Sequence, residues 1–226
     1  MERKIQPNYK ERATKQLDIL IERRPELQVL RNNILDAYEL LLETVSKNGK
    51  ILICGNGGSC ADSDHIVGEL MKSFCANRPI EDGLREKLLA IDGIEGERIA
   101  NGLEGAIPAI NLTQHTALST AYGNDSSAPM VFAQQVYGYG KEGDALIAIS
   151  TSGNSLNVAL AAITAKAKGM RVVSLTGSNT SRLTALSDVC LNVPETETYR
   201  IQELHLPIYH TLCLMLETSF WPVSKH

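Results

Sequence analysis

His65 and Glu69 stand four residues apart in a stretch whose apolar spacing is helical over about 59–75, so the two side chains project from one face. A histidine titrates near neutrality, and a carboxylate beside it can take a proton from carbon or oxygen. On its own such a pair is also an ordinary surface contact worth a few tenths of a kcal/mol. A second polar cluster lies near the end of the chain, where Arg200-Ile-Gln202-Glu203-Leu-His205-Leu-Pro207-Ile-Tyr-His210 places ionisable groups in an apolar helical pattern. Gln202 and His210 are eight apart, a little over two turns, and share roughly one side. Pro207 removes one intrahelical hydrogen bond and is expected to bend the helix between them. Glu203 and His205 read as surface-facing or structural. His65, Glu69, Gln202 and His210 together fit two chemistries. They form a general base and acid flanking a reacting carbon, or a nitrogen and oxygen set for zinc that leaves room for substrate. The two are compatible, and the residues alone leave both open.

Two further segments suit an anion. Gly55-Asn56-Gly57-Gly58-Ser59 and Ser150-Thr151-Ser152-Gly153-Asn154-Ser155 each follow a short apolar run and precede a helical pattern. Glycines admit close approach of the backbone, hydroxyls donate, and helix N-termini offer free amides and a partial positive charge. Ser, Asn and Gly also favour ordinary helix caps, so either loop alone is ambiguous. The pair points to a phosphate. Neither loop fits Gly-x-x-x-x-Gly-Lys-Ser/Thr, and Gly55 through Cys60 fails Gly-x-Gly-x-x-Gly at its last position. No acidic residue follows the second apolar run, where Leu112-Thr-Gln stands. A phosphomonoester without a nucleotide cofactor is the expectation.

The elements that carry these residues alternate. Apolar runs at 50–54, 106–111, 145–150, 171–175 and 189–193 read as strands buried on both faces. Helical patterns fall between them at about 59–75, 113–122, 128–139, 155–168 and 180–187, with a last helix at 198–218. Two more, 8–23 and 26–48, are divided by Pro25 and ended by Asn48-Gly49. The pattern predicts an α/β three-layer sandwich, doubly wound and flavodoxin-like, with a five-stranded parallel sheet. Its single domain spans 1–226, with N-terminal helices at 1–49 and the α/β core at 50–220. Residues 79–105 are charged and glycine-dotted, an inserted excursion that reads as a surface appendage, with a lid or partner contact as the alternative.

The 226 residues carry 22 basic and 26 acidic side chains, and 43% are apolar. A formal charge of −4 argues against a polybasic surface for nucleic acid or membrane. No apolar stretch is long enough to span a bilayer, and the N-terminus has no apolar segment behind its basic residues. The expectation is a cytoplasmic protein. Cys54, Cys60, Cys75, Cys190 and Cys213 form no Cys-x-x-Cys pair and read mostly as small buried hydrophobes. Cys60, beside a helix start, is the one candidate for a reactive thiol, and it lacks an evident partner base.

Together, Gly55-Asn-Gly-Gly-Ser59, Asp64-His65-x-x-x-Glu69-Leu, Ser150-Thr-Ser-Gly-Asn-Ser155, Arg200-Ile-Gln-Glu-x-His205 and His210 resemble the sugar isomerase (SIS) domain. The resemblance runs over nearly the whole chain and is strongest to the phosphoheptose (sedoheptulose 7-phosphate) isomerase family. It implies an aldose–ketose isomerase working as a homotetramer with sites at subunit interfaces. By position, Ser59, Ser150, Thr151, Ser152 and Ser155 would hold the phosphate, with Asn56 and Asp125 near the sugar hydroxyls, and Gly57, Gly58 and Gln202 would also bind the substrate. Glu69 would take the proton beside the carbonyl to give an enediol, and His210 would act as acid. Some members bind zinc, and the matching set is His65, Glu69, Gln202 and His210. Tyr199 stands where the family often carries an acidic residue, and the 79–105 excursion is longer than the usual connection. The same resemblance includes non-catalytic tetramers of the replication-initiator-associating kind, which serve as binding platforms and lack the catalytic carboxylate and histidine.

Overall fold

The computed structural model describes residues 3–222; the outermost residues of the expected domain, 1–2 and 223–226, lie outside them. Five parallel strands form one sheet in the order β2-β1-β3-β4-β5, with β1 Ile51–Cys54, β2 Ala109–Asn111, β3 Ala145–Ile149, β4 Arg171–Thr176 and β5 Val189–Asn192. Register runs Ile53 opposite Asn111 on one side of β1 and Ile53 opposite Ile147 on the other. Alternation along β1 divides the core into two layers. Ile51 and Ile53 join an apolar layer with Leu17, Leu27, Ile34, Leu41, Ile66, Leu212 and Leu216. Leu52 and Cys54 face the opposite layer, with Val136, Val158, Ala161 and Ala162. Every residue of β1 and β3 is buried, as a sheet covered on both faces requires.

The first layer is built by α1 Tyr9–Arg23, α2 Arg31–Ser46, α3 Gly58–Met71 and the long C-terminal helix α10 Thr198–Phe220. The second is built chiefly by α7 Val131–Tyr139, α8 Leu156–Ala167 and the short α9 Arg182–Leu186, with α6 Thr116–Tyr122 leading into α7. Helix α10 is continuous through Pro207. The expected 26–48 helix is instead a 3-10 turn, Pro25–Leu30, followed by α2. The expected 106–111 strand shrinks to three residues behind Pro108, whose ring nitrogen has no proton for a ladder bond.

Helix α3 stops at Met71, not at 75, because the amides of Phe74 and Cys75 turn away to donate to the Glu217 carboxylate at 2.8 and 2.9 Å. Glu217 also accepts from Arg78 Nε at 2.7 Å, and this ion pair is fully buried. Arg78 in turn donates to the Glu69 and Leu70 carbonyls, so it caps the end of α3. The excursion is a helical hairpin, α4 Asp82–Ile91 and α5 Gly93–Gly102, turned by Asp92, whose carboxylate accepts the Ile94 and Glu95 amides. No residue of α4 is buried, and Ile91 and Ile94 at the hairpin turn are 84% and 82% exposed.

Candidate active site

The order 2-1-3-4-5 reverses direction at the β1/β3 boundary, and ligands of doubly wound sheets bind beyond the carboxyl ends of strands at such a point. Both glycine- and hydroxyl-rich loops emerge there, one after β1 and one after β3. The geometry joins them directly. The Asn56 and Asn157 side-chain amides exchange two hydrogen bonds of 2.9 Å, one in each direction, between the first loop and the start of α8. Sequence reasoning misses Asn157; its only local signal is an amide two positions into the helix behind the serine loop.

Each loop runs into a helix with no side-chain cap, although the Ser59 and Cys60 amides of α3 donate to the Asn56 and Gly57 carbonyls and the Val158 amide of α8 to Asn157 Oδ1. Helix α3 begins after Gly57 and α8 after Ser155, and neither of these residues accepts an amide with its side chain. Ser155 Oγ instead lies 2.9 Å from Ser150 Oγ, closing the serine loop on itself. Ser59 and Ser150 are buried, Thr151 and Ser155 half-buried, and Ser152 exposed. Ser152 Oγ accepts the Asn154 amide, while Asn154 Oδ1 accepts the Arg182 amide and ties the loop to α9. Gly153 has φ +65°, and a Cβ there would collide with Ser181 Oγ, so this turn admits only glycine. The two loops together present amides and hydroxyls, and neither 55–59 nor 150–155 contains a lysine or arginine.

One turn and more along α3, the ionisable residues converge on α10. His65 Nε2 lies 3.4 Å from Glu69 Oε1 and 3.3 Å from His210 Nε2. The His65 and His210 rings meet edge to face, 4.7 Å between centroids. Glu69 is only 12% exposed, whereas His65 is 43% exposed. Glu69 Oε2 is buried without a hydrogen bond, its nearest cation being the Lys72 ammonium at 3.9 Å. Burial and the adjacent His65 ring lower the His210 pKa, opposed by the Glu69 carboxylate. A Cβ at Gly58 would meet the Gln202 side-chain amide, so Gln202 of α10 packs directly against the first loop.

Asp125 is placed differently. It is exposed in the π-type turn Gly123–Ser127, and its carboxylate accepts from the neighbouring Asn124 amide rather than from either loop. His205 is structural: fully buried, with Nε2 3.3 Å from the Thr176 carbonyl and a pKa lowered by burial to about 4. Cys60 is hydrogen-bonded to Thr113 at 3.0 Å. Burial raises the Cys54 thiol to about 12 and the Cys213 thiol further, as suits inert core groups.

The cluster has the donor chemistry of a zinc site. Ligands held at ~2.0–2.1 Å in a tetrahedron are about 3.3–3.4 Å apart, the separation of His65 Nε2 from both His210 Nε2 and Glu69 Oε1. Among the described residues no group of three or more His, Cys, Asp and Glu side chains is gathered round a common metal position. The fit therefore rests on these two edges and on the Glu69 oxygen that has no hydrogen bond.

A parallel sheet of this order, with glycine- and hydroxyl-rich loops at the switch point and a histidine–carboxylate cluster beside them, is the architecture of a sugar-phosphate isomerase of the SIS class. Residues 125–218 match the SIS domain family, and residues 24–104 match a second SIS domain family. The phosphoheptose isomerase of a Nitratiruptor species is 38% identical over 191 residues, spanning 84% of this chain and 88% of that protein. The phosphoheptose isomerase of Helicobacter pylori is 37% identical over 197 residues, 87% of this chain and 89% of that protein. The structure of phosphoheptose isomerase from Neisseria gonorrhoeae superposes with a TM-score of 0.69 at 33% identity, covering 92% of this chain and 98% of that one. This chain belongs to the phosphoheptose isomerase family.

Proposed function

We propose that this protein interconverts a ketose phosphate and an aldose phosphate through an enediol, with sedoheptulose 7-phosphate and a heptose 7-phosphate as the pair. The observation that carries the reading is the buried Glu69 oxygen left without a hydrogen bond, next to His65 and His210 and linked to the phosphate loops through Gln202 and Gly58. The N-terminal ends of α3 and α8, with Ser59, Ser150, Thr151, Ser152 and Ser155, hold the phosphate, with Asn56 and Gln202 facing the sugar and Asp125 reaching it from the exposed turn after α6. Phosphate binding far from the reacting carbons orients them, so its energy lowers the barrier as well as the dissociation constant. Glu69 takes the proton from the carbon beside the carbonyl, and its Oε2 has no hydrogen bond to break first. His210, whose pKa is lowered by burial and by the adjacent His65, passes a proton at the oxygen end.

Zinc, held by His65, Glu69, Gln202 and His210, would polarise the hydroxyl and carbonyl oxygens on which the same acid and base act. His65 and Glu69 project from α3 and Gln202 and His210 from α10, so the set links two helices. We further infer a homotetramer in the cytoplasm, with subunit neighbours completing the open side of the site, where His65 is exposed in the single chain. Among the described residues no helix is long and apolar enough to cross a membrane. The test is an isomerase assay over ketose phosphates of increasing carbon number. Turnover that peaks with the seven-carbon substrate supports the reading. Binding without turnover of any member of the panel replaces it with a phosphosugar-binding platform.

A further inference from the structure

Behind His65 runs a second set of hydrogen bonds that the acid–base reading does not use. His65 Nδ1 lies 3.0 Å from the Tyr209 hydroxyl, and that hydroxyl lies 3.2 Å from Asp62 Oδ1. Asp62 precedes His65 by one turn of α3, and Tyr209 immediately precedes His210 on α10. Tyr209 is fully buried, and its ring meets both imidazoles edge-on, 5.5 Å from His65 and 5.0 Å from His210 between centroids. One helix thus supplies both the ring that faces His65 Nε2 and the hydroxyl that faces His65 Nδ1.

We propose that Tyr209 is a positioning residue: its hydroxyl, anchored on Asp62, holds His65 with the proton on Nδ1 and the lone pair on Nε2. The argument is a count of protons. A phenol has one hydroxyl proton, and an ionised carboxylate can only accept. Once Tyr209 donates to Asp62, the phenolic oxygen is left as an acceptor toward His65. It pairs favourably only with an Nδ1–H, so Nε2 carries the lone pair. Nε2 is the atom aimed at Glu69 Oε1 and at His210 Nε2. A neutral imidazole without this partner would place its proton on Nε2, where the Glu69 carboxylate at 3.4 Å accepts it. The relay therefore opposes the tautomer that the immediate surroundings of Nε2 favour. It presents an electron pair to the centre of the cluster, the arrangement that an outer hydrogen bond imposes on a histidine ligand. Nothing in the spacing of the sequence marks this pairing, because Asp62 and Tyr209 are 147 residues apart.

The inference rests on the isomerase reading for its kinetic consequence only. The test uses full-length protein with nitrogen-15 in its histidines, as purified, after chelation, and on titration with zinc alone. In chelated wild type, two-bond nitrogen–proton spectra are expected to show His65 protonated on Nδ1. In Tyr209→Phe the His65 proton moves to Nε2 or is shared between the two nitrogens. Zinc then binds at least tenfold more weakly. The kcat falls by a similar factor, while KM for the sugar phosphate stays within about threefold, because the phosphate loops are untouched. Asp62→Ala, which removes the anchor and leaves Tyr209 packed in place, is expected to move the proton in the same direction and serves if Tyr209→Phe does not fold. His65 protonated on Nε2 in chelated wild type overturns the proposal, as does a folded variant with an unchanged tautomer and a zinc affinity within twofold of wild type. A tautomer shift in a wild-type background that turns over no sugar phosphate supports the relay and overturns the isomerase reading.

Discussion

Asn56, on the loop after β1, and Asn157, at the start of α8, are joined by a reciprocal pair of side-chain amide hydrogen bonds, each 2.9 Å long. A side chain on the first loop and a side chain on α8 thereby hold the helix N-termini in one relative position. Replacing Asn157 by Ala removes the bridge without touching any group assigned to proton transfer. The expected result is a rise of about tenfold in KM for the sugar phosphate, consistent with ~1.4 kcal/mol of lost positioning, and a kcat within about threefold of wild type. Steady-state kinetics and phosphate-competition binding read this directly.

Glu69→Gln keeps the shape of the side chain and removes its capacity to accept a proton. General acid–base catalysis contributes roughly 10²–10⁴-fold, so kcat is expected to drop by that factor. Calorimetry with a non-isomerisable sugar phosphate should give a dissociation constant within a few-fold of wild type, because anchoring belongs to the loops. A variant that turned over at the parental rate would assign the base elsewhere.

Zinc is expected to co-purify with the wild-type protein, and His65→Ala or His210→Ala to lose it, since each removes a nitrogen from the 3.3 Å pair. Elemental analysis of purified protein checks this. Full activity in strong chelator, with no metal bound, would remove zinc from the mechanism and leave the acid–base set to act alone.

The buried Arg78–Glu217 pair connects stability to the site, because Arg78 also caps the Glu69 and Leu70 carbonyls at the end of α3. Arg78→Met strands the Glu217 carboxylate in the core, and the expected loss is about 3–5 kcal/mol in urea unfolding. Adding Glu217→Gln to that variant removes the stranded charge and should recover part of the loss. Equal stability of the single and double variants would show that the charge is not what costs.

His205 supplies a pH dependence of known sign. It is buried neutral, with its folded pKa lowered to about 4 from the ordinary 6.5. Below pH 6.5 the unfolded chain binds the proton that the folded chain refuses, so stability is complete above 6.5 and declines as pH falls toward 4. At about 1.4 kcal/mol per unit, roughly 3 kcal/mol is lost across that window. His205→Gln, which retains a donor for the Thr176 carbonyl at 3.3 Å, should flatten this part of the stability profile in denaturant titrations at stepped pH.

Much of this molecule is local in origin and therefore legible in one dimension. Short apolar runs bounded by glycine and polar loops marked the strands, fully buried in β1 and β3 but only partly in the edge strand β5, and the helical repeats between them implied a parallel sheet. The loops at 55–59 and 150–155 announced themselves by composition, because free amides and hydroxyls at a helix start are what an uncharged anion site needs. His65 and Glu69 share a helix face by arithmetic alone. Element ends were less legible where a distant group decides them: α3 stops at Met71 because Glu217 takes the next amides from across the fold.

Tertiary structure decided which of these pieces meet. No spacing rule relates His65 to His210 or Asn56 to Asn157, separated by 145 and 101 residues. The strand order 2-1-3-4-5 brings the loops after β1 and β3 side by side, and the packing of α10 on α3 brings the two histidines together. The same packing set Tyr209 and Asp62 behind His65, while Asp125 stayed on an exposed turn with its neighbour Asn124. Periodicity records which face of an element is apolar; it holds no information on which other element will cover that face, and a site assembled between faces is therefore settled only when the core closes.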